Sequence, residues 1–148
     1  MGMQLIFVLE TNKKCKSDWI YIKDTIEYFY NIDANNIKFT QVYMDGKGNF
    51  KNKQKEINKN IDQYAKGASN GNSKVICCLD SDDYDINMEA IKFLNEAFKF
   101  CNDNKYELIW FCKDIERVYL RKKVVKDEKK KEAGKFKAKL LEILMQKI

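Results

Sequence analysis

Acidic side chains stand directly after two apolar segments of the sequence, where they could bind a metal ion. Glu10 follows the apolar run Gln4–Leu9, and Asp80 and Asp82 follow Val75–Leu79. Carboxylates close together repel one another, and a divalent cation relieves that repulsion. If the backbone stays extended from Asp80 to Asp82, both side chains point the same way. We therefore predict that Glu10, Asp80 and Asp82 are catalytic ligands of Mg²⁺ or Mn²⁺, with general base as an alternative role for Glu10.

Each of these acids also has a simpler interpretation. Asp82, Asp83 and Asp85 suit the start of a following helix, where a carboxylate caps the backbone and interacts favourably with the helix dipole. Asp83 is the residue that we expect to cap this helix. Glu10, taken alone, could be an ordinary surface glutamate. The two interpretations are compatible for the acidic run, because they use different members of it.

A second set of charged residues follows the apolar segment Glu107–Cys112. Asp114 and Glu116 could complete a second metal site. The basic members of the set are candidate phosphate ligands, since two arginines one helical turn apart suit a phosphate; they are Lys113, Arg117 and Arg121. The same pattern fits a plain helix with acids in its first turn and bases later, and both interpretations stay open.

Composition narrows the chemistry further. The 148 residues include no histidine, which excludes Ser-His and Cys-His nucleophile pairs and leaves oxygen atoms as the metal ligands. Five cysteines without a Cys-x-x-Cys pair argue against zinc, and we expect Cys77, Cys78 and Cys112 to be buried in strands. The net charge of +6 is compatible with nucleic acid as partner. No apolar run approaches the roughly 20 residues that span a bilayer and no signal peptide is visible, so we expect a cytoplasmic protein without a membrane partner.

The spacing of apolar residues predicts the elements that position these side chains. The predicted strands are Gln4–Leu9, Ile37–Met44, Lys74–Leu79 and Glu107–Cys112, with a loop over Gly67–Ser73 before the third. A first predicted helix begins with Ser17 or Asp18 as its cap, and the later ones are Asn52–Lys66, Asn87–Cys101, Asp114–Leu120 and Lys135–Ile148. This alternation predicts a three-layer α/β sandwich with a mainly parallel four-stranded sheet and a C-terminal helix.

Apolar stripes on these helices define the expected core. The residues expected to face inward are Trp19, Ile22, Ile26 and Phe29 in the first helix, Ile57, Ile61 and Tyr64 in the second, and Ile91, Leu94, Phe98 and Cys101 in the third. We expect residues 1–121 to form the α/β domain and residues 122–148 to form a charged linker and an amphipathic helix.

The C-terminal segment could serve in binding. The lysine-rich stretch Lys122–Lys131 could contact a nucleic-acid backbone, although a solvated linker is the simpler interpretation. The final helix could dock on the domain, on a protein partner or on another copy of the chain. Its inward side comprises Phe136, Leu140, Ile143, Leu144 and Lys147.

The order of these motifs resembles the Toprim family over residues 4–120. Toprim domains have a glutamate after the first strand and an Asp-x-Asp after a later one, and here Glu10 and Asp80/Asp82 match them. The segment Phe111–Leu120 is similar to the acidic motif near a helix start in OLD-family nucleases and RloB-like phage-defence proteins. Thr11 stands where the family usually has glycine, and Asp18 would correspond to its acidic residue at the first helix.

The resemblance implies a Mg²⁺-dependent protein that acts on nucleic acid, with phosphodiester hydrolysis in a defence or mobile-element system as its activity. The missing glycine after Glu10 keeps a second hypothesis open, a non-catalytic module that binds nucleic acid or protein and has a decayed Toprim site. A phosphoryl-transfer domain of the receiver or phosphatase type is a third hypothesis. It needs an acidic pair after the first strand, where this chain has Glu10-Thr11-Asn12.

Overall fold

The computed structural model describes residues 2–67 and 71–145, without the side chains of Lys47 and of residues 141–145. Its four strands are β1 (Met3–Leu9), β2 (Ile37–Tyr43), β3 (Asn72–Asp80) and β4 (Glu107–Phe111). All pair in parallel, in the order β2-β1-β3-β4. The predicted α/β fold with a parallel four-stranded sheet is confirmed, and the first and third strands are neighbours. Of the predicted loop Gly67–Ser73, residues 68–70 lie outside the described residues, and its last two belong to β3.

Six α-helices lie on the two faces of the sheet within the described residues. They are α1 (Ser17–Phe29), α2 (Gln54–Gly67), α3 (Met88–Asp103), α4 (Ile115–Leu120), α5 (Lys129–Gly134) and α6 (Phe136–Met145). Short 3-10 helices, Lys47–Lys53 and Lys126–Glu128, precede α2 and α5. In the part of the chain that the structure describes, no helix is long and apolar enough to cross a membrane.

Two hydrophobic cores cover the two faces of the sheet. Helices α2 and α3 enclose the first core, which includes Ile6, Val8, Val42, Ile57, Val75, Cys77, Leu79, Ala97 and Cys101. The other helices enclose the second, which includes Phe7, Leu9, Trp19, Tyr21, Ile22, Cys78, Ile115, Ala133 and Phe136. Successive residues of β1 and β3 therefore enter opposite cores, as expected for central parallel strands buried on both faces.

Three residues that we predicted to face inward are exposed instead. Phe29 is 63% exposed, since it is the last residue of α1 and its ring packs on Tyr28 rather than on the core. Ile91 and Phe98 are 36% and 45% exposed. The predicted stripe of α3 is only partly covered, because the sheet packs on Leu94 and Cys101 and on Ala97 beside them and leaves Ile91 and Phe98 at the edge. The prediction for Cys112 was also wrong, because β4 ends at Phe111 and leaves this thiol exposed.

The C-terminal segment contains more structure than a charged linker. Within it Val124 and Ala133 are buried, and α5 packs against α1. Phe136 is buried and Leu140 packs against the same core, as the amphipathic pattern predicted. Of the remaining predicted inward residues, Ile143 and Leu144 are among those whose side chains are not described, and Lys147 lies outside the described residues.

Candidate functional site

The carboxyl ends of β1 and β3 meet where the order of the strands reverses. From β1 the chain continues to β2 at one edge of the sheet, and from β3 it continues to β4 at the other. Ligands of open α/β sheets bind in the crevice at such a point. Glu10 directly follows β1, Asp80 ends β3, and Glu10 Oε2 accepts a hydrogen bond of 2.9 Å from the backbone N–H of Asp80. The fold thus brings together two acidic residues that are 70 positions apart.

The first turn of α4 adds two more carboxylates beside Asp80. Asp114 caps α4, where its Oδ1 accepts a hydrogen bond of 2.8 Å from the N–H of Arg117. The backbone N–H of Ile115, the residue after Asp114, donates a hydrogen bond of 2.9 Å to Asp80 Oδ1. Glu116 follows and is 2% exposed. We refer to the four acids as the carboxylate cluster: Glu10, Asp80, Asp114 and Glu116.

Burial and like charge raise the pKa of Asp80 to about 8. Burial is the larger cause, and the negative charges of Glu10 and Glu116 act in the same direction. The hydrogen bond from Ile115 opposes them, because it favours the ionised carboxylate. Burial likewise raises the pKa of Glu116. A cluster of this kind either retains a proton near neutral pH or requires a cation.

A lysine of the C-terminal segment lies beside the carboxylate cluster. Lys129 Nζ is 3.7 Å from Glu116 Oε1. Burial by itself would lower the pKa of Lys129, but the charges of Glu116, Asp80 and Asp114 outweigh it and the pKa is raised. In the sequence Lys129 is one of many lysines in a charged stretch, and no local pattern predicts an individual role for it. Only the packing of α5 on α1 distinguishes it from its neighbours.

Asp18 holds the loop that follows Glu10. It is 4% exposed, and its carboxylate accepts hydrogen bonds from the backbone N–H groups of Glu10 and Thr11 at 3.1 and 3.3 Å and from the Thr11 hydroxyl. Burial raises the pKa of Asp18, whereas the hydrogen bonds from Thr11 oppose that rise. Neither Ser17 nor Asp18 is the cap of α1, since the residue at that position is Lys16. Asp18 instead fixes the backbone that presents Glu10.

The remaining acids of the run after β3 lie in an exposed loop. Asp82 has a positive φ of 50°, so the backbone is not extended there as the prediction required. Asp83 and Asp85 lie 3.5 and 3.4 Å from Lys113 Nζ. Neither caps α3, because that position belongs to Asn87, whose side chain accepts two backbone N–H bonds. We refer to Asp82, Asp83 and Asp85 as the acidic loop.

A cleft of about 640 Å³ lies between the acidic loop and the start of α4, and Asp114 is the member of the carboxylate cluster that lines it. The charged residues along it include Asp82, Asp83, Lys113, Asp114, Arg117 and Lys123. Asp114 belongs both to the cluster and to the cleft, and Arg117 Nε lies 3.2 Å from its Oδ2. Two predicted phosphate ligands, Lys113 and Arg117, therefore lie in this cleft. Arg121 is exposed at the end of α4 and is not among the lining residues, whereas Lys123, which we did not single out, is one of them.

The donor atoms of the site suit Mg²⁺ or Mn²⁺, both of which prefer carboxylate oxygens. Burial is the larger cause of the raised pKa of Asp80, and the repulsion from Glu10 and Glu116 that adds to it is of the kind that a divalent ion relieves. Within residues 2–67 and 71–145, no three cysteine, aspartate or glutamate side chains are gathered into a ready metal site. The donor chemistry therefore fits the ion, and the arrangement of the carboxylates is not that of a closed metal cage.

No protein-family model, curated protein or solved structure matches this chain. The carboxylate cluster, the acidic loop and the cleft are therefore the features that bear on function.

Proposed function

We propose that this chain is a Toprim-like, Mg²⁺-dependent nuclease that hydrolyses phosphodiester bonds. The observation that supports it most is the hydrogen bond from the Asp80 backbone to the Glu10 carboxylate at the crevice between β1 and β3. That contact juxtaposes Glu10 and Asp80, two of the three acids on which the resemblance to the Toprim family depends. Asp114 and Glu116, from the motif after β4, lie in the same cluster and extend the match.

The roles follow from the position of each group. Glu10, Asp80 and Asp114 would hold the ion on the cluster side, and Asp82 would contribute from the acidic loop across the cleft. Glu116 is buried behind them and would tune their charge. A bound Mg²⁺ would supply an activated water and neutralise charge on the scissile phosphate.

Nucleic acid would lie along the cleft, with its phosphates against basic side chains. Lys113, Arg117 and Lys123 line the cleft beside the carboxylates. Arg117 is positioned by Asp114, whose Oδ2 lies 3.2 Å from its Nε, whereas Lys113 lies near the exposed aspartates of the acidic loop and is free to turn toward a phosphate. The net charge of +6 assists association with a polyanion.

A cleavage assay tests the proposal. The full chain is incubated with end-labelled single-stranded DNA, duplex DNA and RNA in Mg²⁺ or Mn²⁺. We expect cleavage of at least one substrate, its loss in EDTA, and a reduction of at least about a hundredfold in Asp80→Asn. The matched control is Asp62→Asn, an exposed aspartate on α2, which should cleave like the wild type. Absence of cleavage, or equal cleavage by Asp80→Asn, would refute nuclease activity.

Lys129 favours a second candidate, a non-catalytic module with a decayed site. This lysine already places a positive charge beside Glu116, so the cluster has a counter-ion from the protein itself. Calorimetric titration with Mn²⁺ separates the two functions. A nuclease site should bind Mn²⁺ in the wild type and lose at least about tenfold in affinity in Asp80→Asn. A decayed site should give the same weak titration in both proteins.

A further inference from the structure

One lysine of the C-terminal segment places its ammonium group against the carboxylate cluster. Lys129 Nζ lies 3.7 Å from Glu116 Oε1, and Glu116 is buried. Burial alone would lower the pKa of Lys129, but the negative charges of Glu116, Asp80, Asp114 and Glu10 together raise it. All four members of the cluster therefore attract this one ammonium group.

The docking of α5 directs Lys129 toward the cluster and leaves its neighbours in solvent. Ala133, four residues later and on the same face of α5, is buried in the second core. The Lys129 side chain is only 32% exposed as a result. Lys130 is exposed, and Lys131 pairs with Glu128 at the surface. The position of Lys129 at the cluster is thus a property of the fold rather than of a lysine-rich stretch.

The contact between Lys129 and Glu116 is an attraction between charges rather than a hydrogen bond. Its length of 3.7 Å exceeds the roughly 3.2 Å at which an N–H group donates to an oxygen. Helix α5 is held by other contacts, since Ala133 and Phe136 pack in the second core and Glu132 forms ion pairs of its own. The partly exposed stem of Lys129 can therefore turn into solvent while α5 stays docked.

We propose that the Lys129 ammonium is the resident cation of the carboxylate cluster and that a divalent ion must displace it in order to bind there. This inference rests on the metal site of the proposed function and adds a control on its occupancy. A divalent ion brings two positive charges where the lysine brings one, and it repels the ammonium group. Lys129 thereby raises the concentration of Mg²⁺ or Mn²⁺ that the cluster requires, and it keeps Glu116 paired when the ion is absent.

Calorimetric titration of the full chain with Mn²⁺ tests the displacement without an assay of cleavage. Lys129→Met should bind Mn²⁺ at least about tenfold more tightly than the wild type, because the ion no longer meets a positive charge. Lys129→Arg keeps the charge and should bind within about threefold of the wild type. The matched control is Lys130→Met, which removes an exposed charge from the same helix and should also bind like the wild type. Circular dichroism verifies that each variant is folded.

The outcomes separate this inference from the nuclease proposal. Tighter binding by Lys129→Met in a chain that cleaves no nucleic acid would support the displacement and refute nuclease activity. Cleavage by a wild type whose Mn²⁺ affinity equals that of Lys129→Met would do the reverse. Weaker binding by Lys129→Met, or no binding by either protein, would also overturn the displacement.

Amine labelling of the unaltered chain tests the displacement without any variant. The acetylation of Lys129 by an N-hydroxysuccinimide ester is followed by tandem mass spectrometry. It should be at least about threefold faster in about 10 mM Mg²⁺ than in NaCl of equal ionic strength, because the ion shifts the lysine toward solvent. Lys130 should react at the same rate in both solutions. An unchanged rate at Lys129 would show that the ion does not displace it.

Discussion

The carboxylate cluster and the acidic loop use the same residue types yet have opposite electrostatic environments. Asp80 and Asp82 are two positions apart in the sequence. Asp80 lies against α4, where it is partly buried and its carboxylate is repelled by the charges of Glu10 and Glu116. The backbone turns at Asp82, which lies in an exposed loop, and its neighbours Asp83 and Asp85 are near Lys113. The number of acids in a run therefore says little about their chemistry. What decides it is whether a second element closes over them.

The largest expected difference between the two regions is in their dependence on pH. The pKa of Asp80 is raised from 3.8 to about 8 in the folded chain, so its protonated form favours folding. This stabilisation is complete below pH 3.8, decreases as the pH rises, and is lost above about pH 8. Asp80→Asn mimics the protonated carboxyl and keeps the acceptor for the Ile115 N–H. The free energy of unfolding of Asp80→Asn, measured relative to that of the wild type, should therefore increase by about 4 kcal/mol between about pH 5 and pH 8.5.

Urea unfolding in EDTA measures this increase without interference from metal ions. Asp82→Asn is the matched variant from the acidic loop, and its stability should follow the wild type within about 0.5 kcal/mol at both pH values. If the free energies of unfolding of Asp80→Asn and of the wild type changed equally with pH, the carboxylate cluster would be as solvated as the acidic loop. The predicted difference between the two regions would then be refuted.

A smaller effect is expected from removal of the cation beside the cluster. Lys129→Met keeps an apolar stem of similar length but leaves the buried Glu116 carboxylate without its ion pair. Lys129 is 32% exposed, so the expected loss of stability at neutral pH is about 1.5 kcal/mol rather than the larger cost of breaking a fully buried pair. Lys130→Met changes an exposed neighbour on the same helix and should cost less than about 0.5 kcal/mol.

A double-mutant cycle distinguishes an ion pair from lost packing. If Lys129 acts on the Glu116 charge, the double variant Lys129→Met/Glu116→Gln should be more stable than the sum of the two single losses implies, by about 1 kcal/mol. Additive losses would show that the lysine stabilises α5 only through its stem.

The fold and the position of Glu10 were predictable because both follow from local patterns. Apolar runs gave the strands, and the rule that ligands bind beyond the carboxyl ends of parallel strands pointed to Glu10 and Asp80. The two were expected to meet only if the first and third strands were neighbours, and the strand order β2-β1-β3-β4 satisfies that condition. The Toprim resemblance and the metal assignment remain predictions.

Other features depended on tertiary contacts that no local pattern contains. The four residues of the predicted α3 stripe share one side of the helix, and periodicity alone cannot tell how far round that side the sheet reaches, so Ile91 and Phe98 were placed inward with Leu94 and Cys101. Lys129 appears in the sequence as one lysine among many, 49 positions after Asp80, and only the docking of α5 brings it to the cluster. The cap of α3 was assigned to Asp83 because acids favour helix starts, but the turn at Asp82 delays the helix until Asn87 supplies the cap.

The smallest effect should come from the acidic loop itself. Lys113 lies 3.5 and 3.4 Å from Asp83 and Asp85, and both aspartates are exposed, so solvent and salt screen these pairs. Lys113→Met should therefore unfold at the same urea concentration as the wild type, and adding about 0.5 M NaCl should not separate the two proteins. The same salt should leave most of the Lys129→Met loss in place, because Glu116 is buried. If Lys113→Met were as costly as Lys129→Met and equally insensitive to salt, the loop would belong electrostatically to the cluster, and the two regions would have to be treated as one site.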